Sequence, residues 1–206
     1  HVREVEFCQQ EREQLLRWMK RRFAAEGHDI DIAAADHLLF TCGTLMTDLV
    51  PEIGKIAAYA KSRAVTVEDI NAVADPVLDA RVFDMTNSIT AGKYDQAAQV
   101  LGELLRMQTE PIVILAAVGK ELRRLYTARM AIDSGKDKYW LMELWEMRSD
   151  YPAKLLLQSA KRVSGQWCAD AVKMCQVADL RMKSQRGVDP EEELKLLLAR
   201  LGAARK

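Results

Sequence analysis

The chain has 206 residues, with 30 basic and 30 acidic side chains and a formal net charge of zero at pH 7. Zero net charge argues against a protein that coats nucleic acid by bulk attraction. Hydrophobic residues make up 49% of the sequence, which is enough for a buried core in one or two domains. No run of 18 uncharged apolar residues occurs, which excludes a membrane span. The start, HVREVEF, also lacks the apolar segment of a signal peptide.

The N-terminal region predicts a small bundle of about four helices. Val2 to Phe7 has the alternation of a short strand, which we interpret as the end of a preceding α/β domain, because a lone strand is unstable. The first residue is His, which also suggests a piece of a longer protein. The four predicted helices are Glu11 to Glu26, ending at Gly27; one capped by Asp29 or Asp31 and running to Cys42; one reaching about Lys61, with Pro51 as a kink or in the first turn; and one capped by Thr66.

The stretch from Phe83 to Arg129 predicts three consecutive helices. The first ends at Gly92, the second covers Tyr94 to Met107, and the third begins after Glu110 with Pro111 at its first position. Two opposite faces of the third helix follow from 3.6-residue spacing. The inward face holds Ile114, Leu115, Val118, Leu122, Leu125 and Ile132, and the outward face holds Lys120, Arg123, Arg124 and Thr127.

The C-terminal part predicts further helices and no strand, so the fold class is all-α. Lys138 to Met147 is aromatic-rich and apolar on more than one face, which fits either a core helix or a partner interface. Ser149 to Pro152 predicts a turn. The helices that follow are Ala153 to Val163, Gln166 to Ser184 with Ser164 as its cap, and a last one from Asp189-Pro190 to about Leu201.

Candidate reactive residues are few. The chain has no Gly-rich phosphate loop and no HExxH, and its three histidines lie in no catalytic motif. Cys8 and Cys42 are isolated, while Cys168 and Cys175 share a helix face with apolar residues, which is typical of buried thiols in a reducing cytoplasm. We therefore expect a cytoplasmic protein with no cofactor, no metal and no catalytic residue. An enzyme with a helical core is a further alternative, but no set of catalytic residues can be named for it.

Six stretches, in order and at compatible spacing, resemble the delta subunit of bacterial DNA polymerase III, a component of the sliding-clamp loader. Taken singly, each is a common helix or turn pattern. They are Glu52-Ile53-Gly54-Lys55-Ile56 with Tyr59; Val65-Thr66-Val67-Glu68-Asp69-Ile70; Phe83 to Ile89 with Ala91-Gly92-Lys93; Glu110-Pro111-Ile112-Val113-Ile114-Leu115; Lys120-Glu121-Leu122-Arg123-Arg124-Leu125; and Ala178-Asp179-Leu180 with Lys183.

The resemblance implies a protein of three domains, of which this chain holds the last two. Residues 1–8 would be a remnant of an AAA+-like domain that touches the clamp, residues 9–75 a helical lid, and residues 76–206 a helical collar. The collar would join gamma/tau-type ATPase subunits and delta-prime in a five-membered ring that loads the sliding clamp onto primed DNA. The delta subunit is not itself an ATPase, although the family belongs to the DNA-directed DNA polymerase holoenzyme.

A collar domain must bury apolar area against its neighbours. The expected subunit-interface residues are Tyr139, Trp140, Leu144 and Trp145 in one helix and Leu194, Leu197, Leu198 and Leu201 in the last. Lys120, Arg123 and Arg124 form either a DNA-facing surface or an ordinary solvated face. The alternative function is a stand-alone helical nucleic-acid-binding module, which Arg123, Arg124 and the cluster Arg17, Lys20, Arg21 and Arg22 favour and the zero net charge opposes. That cluster also fits the solvent side of an amphipathic helix.

Overall fold

The computed structural model describes residues 9–204. This part of the chain contains eleven helices and two strands of two residues each, which confirms the all-α class. It divides between Val77 and Leu78 into two compact units, called unit 1 and unit 2 below. The strand predicted at Val2 to Phe7, the domain remnant at residues 1–8, and Cys8 lie outside the described residues.

Unit 1 forms because short polar caps and glycines divide the chain into helices with apolar faces. Asp31 accepts a hydrogen bond from Ala34 N at 2.7 Å, so this residue caps the second helix. Gly43, with φ of +83°, ends that helix in a conformation that side chains disfavour. Its elements are α1 (Arg12–Ala25), β1 (Asp29–Ile30), α2 (Ile32–Cys42), α3 (Met46–Tyr59), β2 (Ala64–Val65) and α4 (Val67–Val73).

The core of unit 1 comes from one face of each helix. Leu15, Met19 and Phe23 of α1 are at most 1% exposed and pack with apolar residues of α2, α3 and α4. Arg12 adds a two-pronged ion pair to Asp36 of α2, with Nε to Oδ1 at 2.7 Å and Nη2 to Oδ2 at 2.5 Å. Because Asp36 is buried, this pair fixes the register of α1 on α2.

Two short parallel strands were not predicted. Asp29 pairs with Ala64 and Ile30 pairs with Val65, with Asp29 N donating to Arg63 O at 2.7 Å. An ion pair between Arg63 and Asp29 accompanies the pairing. Two residues cannot carry a period-2 pattern, so this pairing has no sequence signal.

Pro51 lies at the sixth position of α3, inside the helix and not in its first turn. The residue is exposed, so its ring faces solvent. Helix α3 buries Leu49, Ile53 and Ile56 on its other side. Packing of this apolar face offsets the backbone hydrogen bond that proline cannot donate.

Unit 2 contains seven helices, and the longest of them lies at its centre. Its elements are α5 (Leu78–Ala91), α6 (Tyr94–Arg106), α7 (Pro111–Asp133), α8 (Lys138–Leu144), α9 (Asp150–Ala160), α10 (Gly165–Ser184) and α11 (Pro190–Ala203). Both predicted ends of α6, α10 and α11, the end of α5 and the start of α7 agree to within two residues. Helix α5 begins at Leu78, five residues before the predicted stretch, and α7 continues to Asp133, four residues beyond it. Helix α8 ends three residues earlier than predicted, and the predicted turn at Ser149 to Pro152 is the N-cap and first turn of α9.

Helix α7 packs against α5, α8, α9, α10 and α11. The predicted inward residues Ile114, Leu115, Val118, Leu122 and Leu125 are buried, and Ile132 is half-buried. Small residues on the other sides of the helix, including Ala117 and Ala128, are buried as well. Small side chains let neighbouring helices approach α7 from several directions, so its buried surface is wider than the predicted stripe.

Mutation of Ser164 tests whether its N-cap hydrogen bond stabilises α10. Its hydroxyl accepts from Trp167 N at 3.1 Å, so we expect Ser164→Ala to lower the free energy of unfolding by about 1 kcal/mol. Ser184→Ala, at the opposite end of the same helix, is the matched control and should change stability by less than about 0.5 kcal/mol. Urea unfolding followed by far-UV circular dichroism measures both, and equal effects would contradict the role of the cap.

Candidate interaction surfaces

The predicted cationic face of α7 is largely neutralised within unit 2. Lys120 Nζ lies 2.5 Å from Asp79 Oδ2 of α5. The Arg124 guanidinium lies over the Trp145 ring at 5.5 Å from the centroid, and its Nη1 is 4.0 Å from Glu121 Oε2. Of the three cations, only Arg123 is exposed, and among the described residues its side chain forms no ion pair.

Glu121 is a buried carboxyl group beside this face. Burial raises its pKa to about 7, while the nearby Arg124 guanidinium acts in the opposite direction. Glu121 was not among the residues predicted on the inward face. It lies seven positions after Ile114 and four before Leu125, so helical spacing places it beside the inward face of α7.

Helix α8 presents a mixed surface. Tyr139 is 62% exposed and Leu144 is 51% exposed, whereas Trp140 and Trp145 are half-buried and pack against the core of unit 2. Leu141 is fully buried and attaches the helix to that core. Two of the four predicted interface residues in this helix therefore offer most of their side chain to solvent.

Three of the four α11 leucines that were predicted at a subunit interface are buried inside unit 2. Leu194, Leu197 and Leu201 are at most 3% exposed and belong to the core of unit 2, so they are not available to a neighbouring subunit. Seen from the sequence alone, an apolar stripe on a terminal helix does not reveal whether it packs inside its own domain. Leu198 is the exception, because it is half-buried and lies at the edge of that core.

An apolar groove of about 670 Å³ lies between α6 and α11. Tyr94, Leu105 and Leu198 line it together with several small residues. A Cβ atom at Gly202 would lie 3.1 Å from the Tyr94 ring, so the glycine allows the ring to approach α11. The sequence interpretation missed this groove, although small residues recur at helical spacing in both helices: Ala98 and Gly102 in α6, and Ala199, Gly202 and Ala203 in α11.

Residues 9–204 contain few candidates for a metal-binding or reactive site. Acidic, histidine and cysteine side chains form no group of three or more that could hold a metal ion in that range. Burial raises the pKa of Cys168 to about 11 and that of Cys175 to about 12, so both remain thiols at neutral pH. Cys42 is likewise buried. None of the helices described is both long and apolar enough to cross a membrane.

The fold indicates the class of protein to which the chain belongs. The solved structure of the Bacillus subtilis DNA clamp loader delta protein superposes with a TM-score of 0.72 over 95% of this chain and 57% of that chain, at 20% sequence identity. The chain is thus an all-α protein with the fold of a clamp-loader delta protein.

The family follows from the sequence. Residues 79–201 match the family described as DNA polymerase III delta subunit, C-terminal domain, and the chain belongs to that family. The Bacillus subtilis DNA polymerase III subunit delta is 23% identical over 177 residues, which cover 85% of this chain and 50% of the relative. A probable DNA polymerase III subunit delta of Aquifex aeolicus is 22% identical over 142 residues, 68% of this chain and 41% of the relative.

These findings confirm the resemblance carried by the six sequence stretches. The chain spans about half the length, or less, of the curated relatives that it matches. The matched residues 79–201 fall entirely within unit 2, which begins at Leu78.

The raised pKa of Glu121 predicts that the stability of the fold depends on pH. Its pKa is about 7 in the folded chain and 4.5 for an unperturbed glutamate, so between these values the folded state holds a proton that the unfolded state has released. Stability from this group is therefore present below pH 4.5 and is lost as the pH rises towards 7. The loss amounts to at most about 3 kcal/mol.

We expect Glu121→Gln, which cannot ionise, to raise the free energy of unfolding by about 1–3 kcal/mol at pH 8 and to change it little at pH 4.5. Urea unfolding of parent and variant at both pH values measures this difference. Glu143→Gln, at an exposed position of α8, is the control and should show no such contrast. A gain that is equal at both pH values would contradict the raised pKa.

Proposed function

We propose that this chain is the part of a clamp-loader delta subunit that joins the loader ring and thereby helps to load the sliding clamp onto primed DNA in replication. The observation that carries the proposal is the family match, which coincides with unit 2. In this proposal unit 2 is the collar domain and unit 1 is the helical lid. The subunit acts in the cytoplasm and works through protein contacts, with no catalytic group of its own.

The partners in this proposal are the gamma/tau-type ATPase subunits and delta-prime, which the family resemblance implies. The sliding clamp would be contacted through a domain outside this chain. Two surfaces of unit 2 suit the assembly role. One is the pair of exposed apolar side chains on α8, Tyr139 and Leu144, and the other is the groove between α6 and α11.

The groove is the better-defined of the two surfaces. We infer that it receives a helix of a neighbouring collar domain, because several small residues line it, which allows close helix approach, and most of its other lining residues are apolar. Leu198 would be the central contact there. Helix packing into such a groove needs the partner to bury apolar side chains, which fits the stable ring that the family resemblance implies.

DNA contact by unit 2 is restricted by the ion pairs on α7. Lys120 would have to leave Asp79, and Arg124 would have to leave Trp145, before either could bind a phosphate. Of the three cations, Arg123 can contact a phosphate without first breaking an interaction within unit 2.

Co-elution is the first test. We expect the chain to co-elute with a clamp-loader ATPase subunit and delta-prime in size-exclusion chromatography at micromolar concentration, because unit 2 supplies the assembly surface. Circular dichroism of the same sample shows whether the chain is folded. A folded chain that elutes alone would contradict the proposal.

A pair of double variants then tests the groove. Leu105→Lys with Leu198→Lys places two charges in the groove and should weaken the association at least tenfold, or about 1.4 kcal/mol. Val177→Lys with Leu196→Lys makes the same change at exposed apolar positions outside the groove and should leave the affinity nearly unchanged. Equal weakening by both pairs would show that the groove is not the contact.

A further inference from the structure

Four cationic side chains lie in the middle of α1, in unit 1. They are Arg17, Lys20, Arg21 and Arg22, here called the α1 cationic ridge. Arg17, Lys20 and Arg21 are exposed, and Arg22 is half-buried. The sequence left two interpretations of this cluster open, a nucleic-acid-binding surface and the solvent side of an amphipathic helix, and the proposed function gives it no role.

The ridge differs from the other cations of unit 1 in its electrostatic neighbours. Arg12, Lys55 and Arg63 each pair with a carboxylate in unit 1. Within residues 9–77, no carboxylate forms an ion pair with any of the four ridge cations. Glu13 and Glu26, the acidic residues near the two ends of the helix, also form no ion pair with the ridge. The positive charge of the ridge is therefore not neutralised by the part of unit 1 that the structure describes.

The side chains next to the ridge add hydrogen-bond donors and an aromatic ring. Gln14 and Trp18 line a concavity of about 690 Å³ together with Arg17, Lys20, Arg21 and Met46. Gln14 Oε1 accepts from Glu11 N at 3.2 Å, so its NH2 group can donate outward. Trp18 is half-buried against the core of unit 1 and presents its remaining surface in the same concavity.

Spacing along the helix suits a phosphate backbone. Arg17 and Arg21 are four residues apart, about 6 Å along the helix axis, so both side chains lie on one face of α1 and can reach phosphates of the same strand. Guanidinium groups bind phosphate oxygens through paired hydrogen bonds, which favours arginine at such positions. An aromatic ring among cations is typical of surfaces on which a base stacks.

We propose that the α1 cationic ridge of unit 1 binds the sugar-phosphate backbone of a nucleic acid. Arg17, Lys20 and Arg21 contact successive phosphates, and the exposed edge of Trp18 lies beside them. This contact does not depend on the base sequence, because phosphate groups are the same at every nucleotide. It is also independent of the assembly surface in unit 2.

Salt dependence provides the test. The probes are a fluorescein-labelled 20-base-pair duplex and one of its single strands, titrated with the whole chain between about 25 and 150 mM salt. We expect weak binding whose logarithmic salt slope is about −2 to −3, since three neutralised phosphates contribute about −0.9 each on duplex and about −0.7 each on a single strand. Absence of measurable binding to both probes at the lowest salt would overturn the proposal.

Matched variants locate the contact. Replacing Arg17, Lys20 and Arg21 with Gln should weaken binding at least tenfold at low salt and remove most of the salt slope. The control replaces Lys136, Lys161 and Arg186 with Gln, which removes the same charge from exposed positions of unit 2 and should change binding less than twofold. Far-UV circular dichroism confirms that both variants are folded. Equal weakening by the two triple variants would overturn the proposal in favour of bulk attraction.

A polyglutamate peptide of matched charge distinguishes nucleic acid from an acidic protein segment. We expect it to bind at least tenfold more weakly than the single strand, because carboxylates cannot supply stacking on Trp18 or the spacing of phosphates. If polyglutamate binds as tightly as the oligonucleotide, the ridge is a docking surface for acidic protein and the proposal is wrong.

Discussion

Helix α7 sets the arrangement of unit 2, because neighbouring helices cover it on several sides. A helix that is covered in this way must carry small or apolar residues around most of its circumference. Ala117, Ala128 and Ala131 meet that requirement on the sides where Leu115 and Leu122 do not point. Several polar residues of α7 form contacts within unit 2, whereas Arg123 is exposed and forms no ion pair among the described residues. Lys120 finds Asp79, and Arg124 finds Trp145 and Glu121.

The helices of this chain were predictable because their ends carry local chemical signals. Asp31, Ser164 and Asp189 each cap the helix that follows, and Pro111 and Pro190 stand at the first helical position, as their sequence context predicts. These signals act over three or four residues, so no knowledge of tertiary packing was needed. The two-residue strands β1 and β2 lack such a signal, since their pairing joins residues that are 35 positions apart in the chain.

The interaction surfaces were less predictable than the fold. A leucine stripe is compatible both with packing inside the domain and with an interface, and for Leu194, Leu197 and Leu201 only the tertiary structure decides between them. The same holds for charge. A basic residue exposed on a predicted helix face gives no indication of whether a carboxylate from another helix pairs with it. Lys120 has such a partner, whereas Arg17 and its neighbours on α1 have none among the described residues.

The shape of the groove in unit 2 depends on a missing side chain. Because residue 202 is glycine, the Tyr94 ring rests against the backbone of α11, and the width of the groove is determined at that point. A methyl group at this position would displace the ring by a few tenths of an ångström, without altering any polar atom. Changes at residue 202 would thus tune which partner helices fit by steric exclusion alone, leaving the charge pattern of the surface as it was.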